Sequence, residues 1–289
     1  MRISRTQGLA MAAASVAVAG SLLGSALAGS AHAATTAQSQ TAHAGPKPTI
    51  VLVHGAWADS SSWDAVVQRL QSLGYPVDVP PNPLRGVAAD SAYLSDFLST
   101  ISGPIVLVGH SYGGFVIANA AAGNAEVKAL VYDDAYIPQA GDTLLSLTGA
   151  RPGSCFAADS ATVFNEVPYP GAPSGDADLY VKQSVFPGCF ANGLAAAEGA
   201  ALAAEQRPLA ASVLSETLTT TPAWQTIPSW DVIGTSDKII PAAEQEFMAR
   251  QSPRPHHRDH RPAPVDDRRP RRDHGRHPSG RGRSGLSRP

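Results

Sequence analysis

A serine in a glycine-rich turn is the residue of this chain best suited to nucleophilic chemistry. The hexapeptide Gly-His-Ser-Tyr-Gly-Gly occupies residues 109–114, with Ser111 near its centre. It follows the aliphatic run 105–108 and precedes a small-residue helix predicted over 115–122, which is the strand, sharp turn and helix that a G-x-S-x-G nucleophile elbow requires. The glycines allow close backbone approach, and amides at the helix start face the anion formed during attack. The pattern predicts that Ser111 attacks a carbonyl carbon and is acylated.

A second turn, His-Gly-Ala-Trp at residues 54–57, follows a β-branched and aliphatic run. A serine nucleophile needs two backbone N–H donors for the oxyanion, one from the residue after the serine and one from a neighbouring strand-end loop. Tyr112 and Ala56 are placed to supply these donors. His54 could act as a base, but its position at the strand end favours a structural histidine. His110 should point away from the nucleophile that it precedes.

Two aspartates compete for the role of the acid that orients a catalytic histidine. Asp237 follows the strand predicted over 230–233, and Asp134 follows the strand predicted over 127–132. Both lie at the carboxyl edge of the predicted sheet, where ligands bind in open α/β sheets. Sheet position alone therefore leaves both candidates open.

Strands and helices alternate along residues 48–252, which predicts an α/β fold with a mostly parallel sheet and flanking helices. The run 105–108 has the continuous aliphatic character of a strand buried on both faces, and apolar residues at helical spacing between 63 and 73 predict a helix. The alternation breaks between about 138 and 222, where prolines and glycines are frequent, and resumes at 230–233. We interpret the interruption as a cap inserted over the sheet.

The predicted cap carries both cysteines of the chain, Cys155 and Cys189. In an oxidising compartment a pair of this kind forms a disulfide more often than a metal site, which would need further ligands nearby. We therefore predict a disulfide and expect neither a metal nor an organic cofactor. In the chain-entropy model a loop of this length stabilises a fold by roughly 3–4 kcal/mol.

The first 33 residues predict export. They combine a positive start, an uncharged stretch rich in Ala, Val and Leu, and the small-x-small site Ala-His-Ala, so we expect a secreted protein with a signal peptide cleaved after Ala33. A membrane anchor is the alternative, which is weakened because glycines and serines interrupt the apolar stretch. Residues 34–47 then form a polar linker.

Charge is divided between an acidic body and a basic end. The 289 residues include 22 Lys and Arg against 24 Asp and Glu, a net charge of −2. Residues 253–289 contain 11 Arg and 4 Asp and carry +7, whereas residues 34–252 carry −11. The acidic body argues against a nucleic acid or another polyanion as its partner. The basic end could bind anionic surfaces, and no pattern predicts an oligomeric state.

Together these motifs resemble the α/β-hydrolase superfamily, and within it the small bacterial esterases related to plant methylesterases and hydroxynitrile lyases. The resemblance runs from about 48 to 250 and rests on the His-Gly-Ala-Trp turn, the elbow at Ser111 and the segment Gly-Thr-Ser-Asp-Lys-Ile-Ile-Pro at 234–241. It implies a serine hydrolase of small carboxylic esters whose acid is the aspartate of the Gly-x-x-Asp loop. That residue is Asp237, which the resemblance favours over Asp134.

The family pattern also requires a further strand and then a loop histidine, which residues 253–289 do not supply. This segment holds 11 Arg and 7 Pro but only two aliphatic side chains, so we predict a disordered basic tail in which the last strand and helix of the fold are missing. One interpretation is a natural tail. The favoured interpretation is a frameshift near Ser252, because the codons read one nucleotide later can encode a strand, a loop histidine and the start of a helix. The chain as written would then lack its base and have impaired activity.

Other functions are compatible with parts of this pattern. A perhydrolase of the haloperoxidase type uses the same triad, and a non-catalytic binding protein could keep the fold and a pocket under the cap. Hydroxynitrile lyase activity would rest on the His-Gly-Ala-Trp turn alone. A dehalogenase is disfavoured, because it would carry an aspartate where Ser111 stands.

Overall fold

A computed structural model describes residues 45–251 and the backbone of residues 258–261. The strands are β1 (Thr49–Val53), β2 (Val77–Asp78), β3 (Ile105–Ser111), β4 (Val127–Ala135), β5 (Phe164–Val167), β6 (Asp178–Val181), β7 (Leu209–Ala210), β8 (Ser229–Gly234) and β9 (Arg258–Arg261). The α-helices are α1 (Asp64–Ser72), α2 (Val87–Ser99), α3 (Gly113–Ala120), α4 (Leu144–Thr148), α5 (Ser160–Val163), α6 (Phe186–Cys189), α7 (Ala196–Glu205) and α8 (Ala242–Gln251).

Six parallel strands form the main sheet, in the order β2-β1-β3-β4-β8-β9. Parallel neighbours need crossover connections, and helices α1, α2, α3 and α8 lie between successive strands of this sheet along the chain. The predicted α/β fold with a mostly parallel sheet and flanking helices is therefore confirmed. All carboxyl ends of the strands meet at one edge, which carries the predicted site.

Strand β1 contributes to two hydrophobic cores, one on each face of the sheet. Val51 and Val53 belong to the larger core, whereas Ile50 and Leu52 pack with Trp63 in the smaller one. Successive side chains of a strand point to opposite faces, so an unbroken apolar run fits a strand that is covered on both sides.

Helix α3 approaches two strand ends too closely for side chains at its first two positions. A Cβ on Gly113 would lie 2.6 Å from the carbonyl oxygen of Val53, and a Cβ on Gly114 would lie 2.0 Å from the carbonyl oxygen of Tyr136. Real Cβ atoms do not approach backbone oxygens this closely, so glycine is required at both positions. The approach holds the start of α3 against the ends of β1 and β4.

Between β4 and β8 the chain forms the short helices α4–α7 and a separate antiparallel sheet in the order β5-β6-β7. These elements lie in the segment predicted to be a cap. Cys155 and Cys189 form the predicted disulfide, with their Cα atoms 6.0 Å apart. The bond joins a short 3-10 turn after α4 to the end of α6.

The prediction that no strand follows residue 252 was wrong. Residues 258–261 form β9, which pairs in parallel with β8 from Asp231 opposite Arg258 to Gly234 opposite Arg261. The prediction was based on the lack of aliphatic side chains in this segment, but pairing with a free sheet edge uses only backbone N–H and C=O groups. Residues 256–261 are also a proline-free run, so each of them keeps the N–H donor that a ladder needs.

Several predictions fall outside the described residues. They are the signal peptide with its cleavage after Ala33, most of the linker, the remainder of the basic segment and the missing final helix. Secretion also stays a prediction. Within residues 45–251, no helix combines the length and the apolar character that crossing a bilayer would take.

Replacing Gly114 by alanine should destabilise the fold. The new methyl group would collide with the Tyr136 carbonyl oxygen, a backbone atom that no side-chain rotation can move away. Overpacking of this kind costs about 1–3 kcal/mol. We therefore expect the free energy of unfolding, measured in a urea titration, to fall by at least about 1 kcal/mol. The matched control is Gly188→Ala in α6, where no neighbouring atom lies within 4 Å of the added methyl. Equal losses in the two variants would contradict the close approach of α3.

Candidate active site

Ser111 has the strained backbone expected of a nucleophile elbow. It is the last residue of β3, its φ is 51°, and α3 begins two residues later. Left-handed φ is uncommon for residues other than glycine and is concentrated at functional sites. The turn is tied to the neighbouring strand, because the Tyr136 amide donates to the Ser111 carbonyl oxygen at 3.2 Å. The serine is thus fixed at the carboxyl edge of the sheet.

The His-Gly-Ala-Trp turn lies directly against the serine. A Cβ on Gly55 would lie 2.8 Å from the Ser111 Cβ and 3.0 Å from the His110 carbonyl oxygen, so only glycine allows this contact. In the described part of the chain, no backbone carbonyl accepts a hydrogen bond from the Ala56 or Tyr112 amide. Both predicted oxyanion donors are therefore available at the turns that flank the serine.

His54 is engaged on both ring nitrogens and serves as a structural residue. Its Nδ1 donates to the Gly55 carbonyl oxygen at 2.9 Å, and its Nε2 accepts from the Asn82 amide at 2.9 Å. The Asn82 side chain also donates to the His54 carbonyl oxygen at 3.1 Å. Burial lowers the pKa of His54, which favours the neutral ring that this pattern needs.

Asn82 was not found by the sequence analysis. The signal that could have found it is its place in a proline-flanked loop after β2, at the same edge of the sheet as the serine. By fixing His54, Asn82 holds one end of the turn that contains Ala56. The other end is held by Trp57, whose backbone is also left-handed, with a φ of 58°, and whose Nε1 donates to the Leu179 carbonyl oxygen at 2.9 Å.

Tyr112 is anchored through its side chain. The phenol is buried and donates to Oδ2 of Asp90 at 2.8 Å, while the Arg85 amide donates to Oδ1 of the same carboxylate at 3.1 Å. Burial raises the pKa of Asp90 in spite of these donors. Asp90 was also missed, because nothing in its local sequence distinguishes it from other helix aspartates. It restrains the residue whose amide is the second predicted oxyanion donor.

Asp237 accepts hydrogen bonds from three donors. Its Oδ1 accepts from the amides of Ile239 at 2.7 Å and Ile240 at 3.0 Å, and its Oδ2 accepts from the side chain of Gln245 at 3.2 Å. Gln245, a third residue missed by the sequence analysis, also donates to the Ile240 carbonyl oxygen and accepts from the Gly234 amide. Burial raises the pKa of Asp237 to about 6, which leaves the carboxylate ionised at neutral pH.

Asp134 lies nearby in a different environment. It is 1% exposed, its φ is 45°, and neither carboxyl oxygen has a hydrogen-bond partner among the described residues. Burial, followed by the charges of Asp133 and Asp237, raises the pKa of Asp134 to about 8, and the nearby Gly234 amide and Gln245 side chain offset this only in part. The carboxyl is therefore protonated at neutral pH, unlike that of Asp237.

The strand order sets the distance between the serine and Asp237. Strand β4 lies between β3 and β8, so the two strand ends are about 10 Å apart at the usual strand spacing. An imidazole ring that bonds to groups on both sides spans roughly 8 Å, since each hydrogen bond adds about 2.8 Å. At this separation of the strand ends we expect no direct contact between the two side chains, and one imidazole ring matches the gap.

Neither histidine within residues 45–251 fills that gap. His54 is bonded as described above, and the His110 ring lies edge-on to Trp63 of the smaller core, with centroids 6.3 Å apart. Burial lowers the pKa of His110 to about 4. His260 lies in β9 with its backbone opposite Ile233, and His256 and His257 lie outside the described residues. The predicted serine and acid are thus brought to one edge, without a base among residues 45–251.

Solved structures with the same fold include three hydrolases. A pyrethroid hydrolase from Sphingobium faniae JZ-2 has a TM-score of 0.56 at 22% identity, covering 75% of this chain and 89% of that one. An extracellular alpha/beta-hydrolase from a Paenibacillus species has a TM-score of 0.57 at 20% identity, covering 75% and 90%. A methylesterase from Arabidopsis has a TM-score of 0.58 at 14% identity, covering 75% and 89%. At these identities the likeness shows the fold alone.

A curated relative is more similar in sequence over a shorter stretch. A carbendazim hydrolyzing esterase from Nocardioides sp. (strain SG-4G) is 34% identical over 110 residues, in an alignment that covers 34% of this chain and 46% of that protein. The chain therefore aligns with less than half the length of this relative. A family model described as the alpha/beta hydrolase family matches residues 50–277, which is well over half of the sequence. The chain therefore belongs to the alpha/beta hydrolase family.

Proposed function

We propose that this chain is a serine hydrolase that cleaves small carboxylic esters through an acyl-enzyme on Ser111. Asp237 is the acid that orients the base, and the backbone amides of Ala56 and Tyr112 form the oxyanion hole. The observation that carries the proposal is the left-handed backbone of Ser111, in contact with the turn that contains Ala56. A strained serine between a strand and a helix, beside two amides that donate to no backbone carbonyl of the described residues, is the arrangement that acyl transfer needs.

The reaction has two halves. In the first, the Ser111 hydroxyl oxygen attacks the ester carbonyl carbon, its proton passes to a histidine, and the two amides stabilise the resulting oxyanion. The bond to the alcohol oxygen then breaks, the histidine protonates the departing alcohol, and an ester remains on Ser111. In the second half, water attacks this ester with the same histidine as base, which releases the carboxylic acid and restores the serine.

Different surroundings of two carboxyls support Asp237 as the acid. The acid has to be an anion, because it holds the imidazole in one tautomer and stabilises the imidazolium that forms. Asp237 has three hydrogen-bond donors and is ionised at neutral pH, whereas Asp134 has no donor in hydrogen-bond geometry among the described residues and is protonated. A neutral carboxyl does not supply the charge that the role requires.

Names of the relatives support the substrate class. The curated relative is called a carbendazim hydrolyzing esterase, and structures with this fold include a pyrethroid hydrolase and a methylesterase. What these names have in common is hydrolysis, with ester bonds named twice. The proposal for this chain is therefore ester hydrolysis in general, without assigning any one of these substrates.

The base is proposed to come from a different reading of the C-terminal codons. We propose that the chain is out of frame from near Ser252 and that the shifted frame supplies a loop histidine beside Asp237. Strand β9 occupies the position next to β8 where the family pattern requires a further strand. Its sequence in this chain, Arg-Asp-His-Arg, lacks the aliphatic character of the other strands of that sheet.

A second candidate function is a non-catalytic binding protein. The observation that favours it is that His54 and His110, the histidines of residues 45–251, are both engaged in contacts away from the gap beside Asp237. Such a protein would bind an ester or acid at the same sheet edge without turnover.

Restoring the frame should restore activity. We expect the frame-restored protein to hydrolyse a chromogenic acetate at least about 10³-fold faster than the chain as written, because a serine without its base keeps only the acceleration from binding and the oxyanion hole. Mass spectrometry of the rapidly quenched reaction should find one acetyl group, on the peptide that contains Ser111.

The control for this comparison is Ser111→Ala in the frame-restored protein, which should lose both turnover and the adduct. Equal turnover by the two frames would refute the proposed base. An adduct at another residue would refute the nucleophile. Tight binding of an ester without any adduct in the restored protein would favour the non-catalytic candidate.

The two aspartates should respond very differently to substitution. In the frame-restored protein, Asp237→Asn should lower kcat by about 10³- to 10⁴-fold, because the amide stabilises the wrong histidine tautomer. Asp134→Asn should lower kcat less than about ten-fold, because a protonated carboxyl and an amide are both neutral. A dead Asp134→Asn variant beside an active Asp237→Asn variant would reverse the assignment.

Asp134 should also make the stability of the folded chain depend on pH. The folded state keeps this proton up to about pH 8, whereas the unfolded carboxyl loses it near pH 4, so the folded state binds more protons in between. Stability contributed by this group is therefore full at low pH and is lost as the pH rises towards 8. Asp134→Asn removes the effect and keeps a residue type that tolerates left-handed φ.

Urea unfolding of the chain as written and of Asp134→Asn at pH 5 and pH 8 tests this. We expect the stability of the variant relative to the parent to rise between the two pH values, by up to about 1.4 kcal/mol per pH unit. Asp96→Asn on α2, whose side chain is exposed, is the matched control and should show no such rise. A constant difference between Asp134→Asn and its parent at both pH values would mean that the carboxyl is not protonated.

A further inference from the structure

The disulfide brings two phenylalanines to Trp57. This tryptophan ends the His-Gly-Ala-Trp turn at 54–57, which carries the predicted donor Ala56 and is called the oxyanion turn below. Each cysteine is followed by a phenylalanine, Phe156 after Cys155 and Phe190 after Cys189. Both rings meet Trp57 edge-on, with centroids 5.0 Å and 6.3 Å from that of Trp57. One covalent bond therefore links the two segments that carry these edge-on partners of Trp57.

Trp57 needs such support because its backbone is left-handed, with a φ of 58°. A bulky residue in this region is a true outlier and persists only where its surroundings over-determine it. The aromatic contacts with Phe156 and Phe190, a stacked contact with Phe164 at 5.4 Å and the hydrogen bond from Nε1 to Leu179 supply that support. The residue before Trp57 carries the predicted oxyanion amide, so contacts that hold Trp57 also restrain the turn that presents that donor.

The same two disulfide-linked segments also hold the loop 236–238, which carries Asp237 and is called the acid loop below. The Cys155 amide donates to the Lys238 carbonyl oxygen at 2.8 Å. From the other segment, the Asn192 side chain donates to the Ser236 carbonyl oxygen at 2.9 Å. Asp237 lies between these two anchored residues. One covalent bond therefore joins two segments that each contact both the oxyanion turn and the acid loop.

We propose that the Cys155–Cys189 disulfide is a positioning element of the active site, which holds Trp57 and the loop 236–238 in register with Ser111. The inference rests on the proposed function for its effect on reactivity, while its effect on the two segments stands by itself. Loss of the bond loosens the oxyanion turn and the acid loop and lowers the reactivity of Ser111. The parallel sheet stays folded, because β1, β3, β4 and β8 are paired with one another and not through the bridged segment.

Hydrogen exchange measured by mass spectrometry tests the positional part on the chain as written. In the double variant Cys155→Ala/Cys189→Ala, amides of residues 55–58 and 236–240 should exchange at least about ten-fold faster than in the oxidised parent, while β1, β3 and β4 keep their protection. Unchanged exchange in both segments would overturn the proposal. So would faster exchange throughout the sheet, because the disulfide would then support the whole fold.

Two further variants sharpen this measurement. Asn192→Ala keeps the disulfide and removes one anchor, so it should loosen 236–240 and leave 55–58 unchanged. Glu216→Ala removes hydrogen bonds from the Val87 and Ala88 amides to a side chain of the cap segment, and no hydrogen bond of Glu216 involves Trp57 or the acid loop. This control should leave both segments unchanged, and a response equal to that of the double variant would overturn a specific role of the disulfide.

Reactivity is measured in the frame-restored protein with a fluorophosphonate probe and with ester turnover. The double variant should label Ser111 at least about ten-fold more slowly, with the loss in kcat rather than KM, because transition-state contacts are weakened. Unchanged labelling and kcat, beside changed exchange, would overturn the role in positioning. If the oxidised parent itself neither labels nor turns over, the proposed function fails and the exchange result alone decides the inference.

Discussion

Helix α3 fits against the ends of the two strands that flank β3, with no space for side chains at its first two positions, and the site depends on this fit. Gly113 packs directly against the Val53 carbonyl oxygen and Gly114 against the Tyr136 carbonyl oxygen, so the helix start contacts the ends of both β1 and β4. The chain can leave β3 and enter this helix only through a sharp turn, which gives Ser111 its left-handed φ. Burial of almost all of α3 offsets that strain. The serine hydroxyl consequently emerges beside the turn that follows β1.

The parallel fold could be predicted because its signals are local. Aliphatic runs marked the strands and helical spacing marked the helices, although β3 and β4 extend past those runs to Ser111 and Ala135. The ladder continues there under polar side chains, since the backbone pairs whatever the side chains are. Strand β9 was missed because its backbone pairs without any apolar side-chain pattern to mark it. Residues 258–261 carry no apolar pattern at all, and only their pairing with β8 makes them a strand.

The serine elbow and the His-Gly-Ala-Trp turn could be recognised because, in each, the residues that form the tight turn and those that act chemically are consecutive in the sequence. The residues that hold those turns could not. Asn82 bonds to His54, 28 positions earlier, and Asp90 bonds to Tyr112, 22 positions later, so no local pattern links the partners. Gln245, on α8, likewise donates to Asp237 in the loop that precedes this helix. The difference between the two aspartates of the site is also a matter of surroundings, because Asp237 accepts three hydrogen bonds and Asp134 accepts none from the described residues.

The pairing of β9 has a consequence for how such a chain tolerates change. The edge of β8 pairs through amide and carbonyl groups, which arginine, aspartate and histidine carry as well as valine does. Completion of the sheet in this chain therefore rests on the backbone of residues 258–261 and not on an aliphatic run. Sheet pairing and acid–base chemistry make different demands on such a segment, because the first uses backbone groups and the second needs a particular side chain.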